Sequence, residues 1–164
     1  MTVSFDLDET LFINPEKVPA ENKLRFPLDR IYRDRLRKGT PTLLQWINRN
    51  NIQLWIYTTS CRSERYIKNI FRHYGVKIDN IINGKRHAEE VQKNNTEILP
   101  SKYPSKYHID LHVDDEISVY QNGISYGFRV YLLKENDIDW INNIRTEILR
   151  IKNLNIQGGH YYVK

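Results

Sequence analysis

At 164 residues the chain has the size of one compact domain and can bury a substantial core. With 25 Lys and Arg against 20 Asp and Glu, the formal net charge of +5 favours anionic partners (phosphates, nucleic acid, acidic protein segments) without choosing among them, and the densest basic cluster, Arg30 to Lys38, reads first as a solvated helix face. A single cysteine, Cys61, excludes an intrachain disulfide; no apolar stretch approaches the roughly 18 residues needed to span a bilayer; and the first apolar segment starts almost at Met1, so a soluble protein of the reducing cytoplasm, without signal peptide or membrane partner, is expected.

In chain order, the apolar run from Val3 closes in Asp6-Leu7-Asp8-Glu9-Thr10, the end of a first strand. Phe12 to Phe26, with Pro15, Pro19 and then Pro27, predicts a loop or small hairpin flap over about 12–27 and gives no helix signal. Asp29 is placed to cap a helix running to about Lys38. Gly39 breaks it, and Thr40-Pro41 supplies an N-cap with proline at the first helical position of a second helix, whose buried stripe is Leu43, Leu44 and Ile47. Gln53 to Tyr57 is a second strand, closing in Thr58-Thr59-Ser60. Ser63 to Tyr74 carries Tyr66, Ile67, Ile70, Phe71 and Tyr74 at helical spacing, with Gly75 as its stop. A short strand over Ile78 to Ile82, a polar helical stretch from about Lys85, a strand over Ile109 to Val113 closing in Asp114-Asp115, and a fifth strand from Gly127 to Leu133 interrupted by Arg129 complete the alternation. Ile141, Ile144, Ile148 and Ile151 mark the last helix. Strands alternating with helices predict an α/β fold: a Rossmann-like three-layer α/β/α sandwich on a mainly parallel five-stranded sheet with right-handed crossovers.

Two carboxylates two residues apart, where a buried strand ends, suit phosphoryl transfer. One side chain can attack phosphorus while the other handles the leaving group's proton, and a Mg²⁺ ion, which takes oxygen ligands, would tie the site together. Read alone, Asp6-x-Asp8 is also an ordinary turn element and Thr58 an ordinary helix cap. Three strands ending in polar groups weigh the other way, because ligands of open α/β sheets bind at the carboxyl ends of parallel strands. His87, His108, His112 and His160 show no metal-ligand spacing, and His112 on its strand reads as a packed side chain. Nothing marks the Cys61 thiol as activated, so it reads as buried packing near the pocket.

The ordered set Asp6-Leu7-Asp8-Glu9-Thr10, Thr58, a lysine, and Asp114-Asp115 resembles the motifs of the haloacid dehalogenase (HAD) superfamily of phosphatases, over nearly the whole chain. The resemblance implies Asp6 as nucleophile and metal ligand, and Asp8 as general acid and base with its main-chain carbonyl on the metal. It implies phosphate contacts from Thr58 and Thr59, and Asp115 as the direct acidic metal ligand with Asp114 acting through water or the lysine. Lys102, before Pro104, is our choice for the lysine, with Lys85 and Lys106 as alternatives. Both intervals where the family inserts a cap are short, so the chain looks capless, with an open site able to take a phosphate on a small or a large molecule. The expected function is a magnesium-dependent phosphomonoester hydrolase working through an aspartyl-phosphate. The alternatives are a phosphatase of nucleic-acid ends or nucleotides, signalled by a basic track with aromatics (Arg33, Arg35, Arg37 and the tyrosines), and a non-catalytic phosphate-binding module on the same fold.

Overall fold

The computed structural model describes residues 1–93 and 99–159. In β1 (Thr2–Phe5) the two-residue repeat of a strand sends Val3 and Phe5 to one face of the sheet and Ser4 to the other. Four further strands, β2 (Gln53–Tyr57), β3 (Asn80–Ile82), β4 (Leu111–Asp114) and β5 (Val130–Leu132), join it in the order β3-β2-β1-β4-β5, every pair parallel. The chain therefore builds outward from β1 in one direction, then jumps back across β1 and builds in the other. The neighbours β1 and β4 flank the point of reversal, where the two crossovers leave a crevice at the carboxyl ends of the strands.

The two faces of the sheet differ chemically. Val3, Phe5, Leu54, Ile56, Ile81, Leu111 and Val113 form one apolar surface. It is covered by Leu43, Leu44 and Ile47 of α2 (Thr40–Arg49), Ile67, Ile70 and Phe71 of α3 (Glu64–His73), and Ile144, Ile148 and Ile151 of α6 (Trp140–Gly159). The opposite face carries Ser4, His112 and Asp114 alongside a smaller cluster of Tyr57, Ile82 and Ile109, on which Trp55 and Tyr107 pack. On that side α5 (Ile117–Tyr126) connects β4 to β5, as right-handed crossovers in opposite directions require. Among the described residues no helix is long and apolar enough to cross a membrane.

The expected α/β architecture is present; several local expectations are not. Only α1 (Leu28–Ile31) is helical between Asp29 and Lys38. The rest of that segment folds against the flap, with Ile13 N–H donating to Arg35 O, Arg37 N–H to Leu11 O, Glu21 N–H to Leu36 O and Lys38 N–H to Pro19 O. These bonds bury Leu36 completely and Arg37 almost so, which a solvated helix face would not do. Helix α2 begins at Thr40 behind Gly39, one residue earlier than predicted, with Pro41 in its first turn. Ser63 caps α3 by accepting from Tyr66 N–H at 3.3 Å. The polar stretch from Lys85 is α4 (Gly84–His87) continued by a wider π-turn over Ala88–Gln92. Helix α5 was not among the expected elements; it is held mainly by buried Val119 and Gly123, so its apolar signal is thin.

Gly84 locks α4 to the segment after β2. Its N–H donates to Ser60 O at 3.0 Å, and a Cβ there would stand 2.3 Å from the Thr59 carbonyl oxygen. Since the obstacle is backbone, Gly84→Ala is expected to destabilise the fold by about 1–3 kcal/mol. Thermal melting would show a clear drop relative to Lys85→Ala, a change at an exposed neighbour; an unchanged midpoint would refute this contact.

Candidate active site

Asp6 is the first residue beyond β1. Its N–H donates to Val113 O at 2.9 Å, continuing the ladder by one rung and setting its carboxylate beside the end of β4. Alternation along both strands then puts Ser4 and Asp6, and His112 and Asp114, on the same face. Into this face comes Lys102, fully buried, with Nζ 3.1 Å from Asp6 Oδ2 and 2.6 Å from Asp114 Oδ2. The loop carrying it is tied to β2, because Tyr103 N–H donates to the Tyr57 hydroxyl at 2.8 Å and that hydroxyl lies 2.6 Å from His87 Nδ1. Lys85, Lys93 and Lys106 are exposed, and Lys106 Nζ bonds the Glu90 carbonyl instead.

Asp114 is held from three sides. His112 Nε2 lies 2.9 Å from Oδ2, Lys102 Nζ shares that oxygen, and Glu116 N–H donates to Oδ1 at 2.9 Å. The other ring nitrogen of His112, Nδ1, is 2.8 Å from Ser4 Oγ, its register partner on β1. Burial keeps the His112 imidazole below its usual pKa. The network therefore assigns a neutral ring, with the Ser4 hydroxyl donating to Nδ1 and Nε2–H donating to the carboxylate. Burial alone would raise the Asp114 carboxyl, but the bonds from His112 and Lys102 outweigh it and hold it down at about 2. Asp6 goes the other way. Burial is the largest influence and raises it, Lys102 opposes, the Asp114 charge adds to the rise, and the balance leaves it pushed up to about 7. On Lys102, burial works against the charge, and the two carboxylates more than restore it, so the ammonium persists.

Asp115, next along, accepts from the Thr10 hydroxyl at 2.7 Å. Oxygens of Asp6, Asp114 and Asp115 lie within 4.8 Å of one another, and Asp6 Oδ1 is buried with no hydrogen-bond partner. Three carboxylates, one of them with an unpartnered oxygen, form the oxygen-only donor set that a hard divalent cation takes. Such an ion would stabilise the ionised form of Asp6, which burial disfavours.

The Asp8 side chain is outside this cluster. It is 52% exposed, with Arg62 Nη1 at 2.8 Å from Oδ1 and 2.9 Å from Oδ2. Arg62 also holds Asp34 at 3.1 Å and packs its guanidinium 5.4 Å from the centre of the Phe12 ring. Arg37 supports the turn below, donating to the carbonyls of Thr10 (3.1 Å) and Glu9 (3.3 Å). Thr58 is buried at the end of β2 with its hydroxyl accepting from Ser60 N–H at 3.1 Å, and Thr59 is exposed. Cys61 is exposed as well, against the expectation of burial: β2 has ended by then and the chain is turning outward into α3. His160 lies outside the described residues. Sequence reading missed Ser4, His112 and Arg62 as parts of the site. For His112 a signal existed, since it stands two residues before Asp114 and so shares its face.

No protein-family model matches the chain, and no curated protein matches it. Solved structures do. The HAD domain of the effector protein Lem4 from Legionella pneumophila, an inactive mutant, is 18% identical, with a TM-score of 0.53 over 99% of this chain and 98% of that one. D,D-heptose 1,7-bisphosphate phosphatase from B. bronchiseptica, complexed with magnesium and phosphate, is 14% identical with a TM-score of 0.48 over 80% of this chain and 79% of that one. A HAD-superfamily hydrolase from Geobacter sulfurreducens is 12% identical with a TM-score of 0.49 over 79% and 86%. At such identities a likeness speaks to architecture, and the first of these, spanning both chains almost end to end, carries it. With its strand order and its short connections in place of a large cap, this chain has the haloacid dehalogenase (HAD) fold.

Proposed function

We propose that the chain is a magnesium-dependent phosphomonoester hydrolase in which Asp6 becomes transiently phosphorylated. The observation that carries this reading is the Asp6 carboxylate itself: one oxygen is held by Lys102 and the other is buried and unpartnered, at the carboxyl end of a central strand. A carboxylate held on one side only is positioned as a nucleophile rather than consumed as a structural ion pair. In the first step an Asp6 oxygen forms a bond to phosphorus and the phosphorus–oxygen bond to the leaving group breaks. Protonated Asp8 gives its proton to the departing alkoxide. In the second, Asp8 takes a proton from water as the water oxygen attacks phosphorus, the bond to Asp6 breaks, and inorganic phosphate leaves. Asp8 is suited to this double duty by its place on the rim, half exposed and free to swing from Arg62 toward the leaving group. Lys102 offsets the charge on Asp6 and on the transferred group, with Thr58 and Thr59 as further phosphate contacts. Asp6, Asp115 and the Asp8 main-chain carbonyl would hold Mg²⁺, with Asp114 behind them, and the ion would neutralise the phosphoryl oxygens during attack. A non-catalytic module is disfavoured, since all four acids are present and Lys102 reaches two of them.

His112 and Ser4 position Asp114 rather than touch substrate. Partners of this kind behind a metal site typically change metal affinity by about 10–100-fold when lost. His112→Leu is therefore expected to raise the Mg²⁺ concentration for half-maximal activity by about tenfold or more, with His112→Gln, which keeps an N–H donor, restoring part of it. Equal Mg²⁺ dependence in all three proteins would discard the role.

Asp6→Asn should abolish hydrolysis of p-nitrophenyl phosphate while the far-ultraviolet circular dichroism stays native, because an amide is a poor nucleophile; residual turnover at the wild-type rate would sink the nucleophile assignment. Lys102→Met should cost at least about 10²-fold in kcat, whereas Lys85→Ala and Lys106→Ala should stay within about twofold. Steady-state kinetics on the three proteins decides among the lysines.

A further inference from the structure

A cavity of about 290 Å³ opens on the flap side of the site, and the hydrolytic steps leave it unused. Four of its lining side chains are cations: Lys23, Arg30, Arg33 and Arg35. None of the four appears in an ion pair among the described residues. Arg30 lies over the Phe26 ring at 5.1 Å, Arg33 Nε reaches Arg30 O only at 3.5 Å, and Arg35 Nη2 donates to Glu21 O at 2.8 Å. Two acids share the lining, but Asp34 is already answered by Arg62 at 3.1 Å and by the Tyr66 hydroxyl at 2.8 Å. That leaves Asp29 alone against four positive charges. A concave surface on which one sign predominates focuses its field and draws in counter-ions, which scattered surface charges do not.

The cavity is also joined to the reaction. Asp34 lines it, Arg62 binds Asp34 with one nitrogen and Asp8 with the other, and Asp8 borders the nucleophile's turn. One guanidinium therefore separates the basic cavity from the acid–base residue. Its walls include Tyr74 and Tyr32, and the Tyr32 ring lies 5.3 Å from both Tyr66 and His73, which fixes its orientation. Of the basic residues that could have formed a track, Arg33 and Arg35 are here, while Arg37 is buried elsewhere under the catalytic turn.

We propose that this cavity binds a second phosphate of the substrate, so that the preferred substrate is a phosphomonoester carrying another phosphoryl group a short distance from the one at Asp6. This rests on the hydrolase reading above. A second phosphate can come from a small bisphosphate or from the neighbouring internucleotide linkage of a phosphorylated oligonucleotide, and the experiment separates them. Wild-type protein and the double variant Lys23→Ala/Arg33→Ala, which removes exposed side chains and no buried bond, are assayed on p-nitrophenyl phosphate, on fructose 1,6-bisphosphate and on a trinucleotide with a terminal phosphate. Loss of two charge-assisted contacts should lower kcat/KM on a multiply phosphorylated substrate, relative to p-nitrophenyl phosphate, by about tenfold or more. A fall confined to the bisphosphate identifies the small ligand, and a fall confined to the trinucleotide identifies the nucleic-acid strand. An unchanged ratio for both overturns the proposal. Calorimetric binding of the same two ligands to the Asp6→Asn protein, with and without the double change, tests the cavity apart from turnover. Equal affinities there also overturn it, whereas binding weakened by the double change, alongside a wild-type protein that hydrolyses none of the three substrates, would uphold the cavity and remove the hydrolase reading alone.

Discussion

The buried ammonium of Lys102 between Asp6 and Asp114 is the interaction on which the rest of the site depends. A lysine taken fully out of water is strongly destabilising unless its charge is matched, and removing one partner of such a group leaves an uncompensated charge in the interior. The loop that carries it can therefore dock in only one place, where both carboxylates are within reach. Those carboxylates come from opposite halves of the chain and meet because β1 and β4 are neighbours at the reversal of the sheet. Tyr57, from the end of β2, completes the arrangement by accepting from the residue after the lysine. Two strand ends and one loop are thus held by a single set of charges, and a third strand end joins them through a hydrogen bond.

The sheet separates folding from chemistry by its two faces. On one side the alternate residues of every central strand are Val, Leu, Ile and Phe, and three long helices close over them. On the other, the same alternation brings Ser4, Asp6, His112 and Asp114 together, and their polar atoms satisfy one another in a chain from hydroxyl to imidazole to carboxylate to ammonium. Each buried polar group in that chain has a partner except Asp6 Oδ1, the one atom left for a ligand. The rim is built differently. Asp8, Arg62 and Asp34 are partly exposed and tied by pairs that water screens, so they can rearrange while the floor stays fixed.

Much of this was legible in the residues because it is local. Apolar runs of strand length ending in Asp6, Thr58 and Asp114 announced a parallel sheet with its functional groups at one edge, and the stripes of α2, α3 and α6 followed from helical spacing. The segment 29–38 misled for the opposite reason. Its charges suit a helix surface, but pairing with the flap buries Leu36 and Arg37, and a backbone partner some 15–25 residues away leaves no periodic trace. Cys61 misled likewise: proximity in sequence to a buried strand does not say where the chain turns outward.

By itself the sequence determined which atoms could do chemistry: carboxylates after two strands, a hydroxyl after a third, and apolar stripes dense enough to order them in an α/β frame. Tertiary structure alone decided which lysine meets Asp6, that His112 serves Asp114 instead of merely packing, and that Arg62 links Asp8 to a basic cavity. The reason is physical. A strand's alternation is written within a few neighbouring residues, whereas a buried charge finds its partners through the order of the strands, and that order is set by the whole chain folding at once.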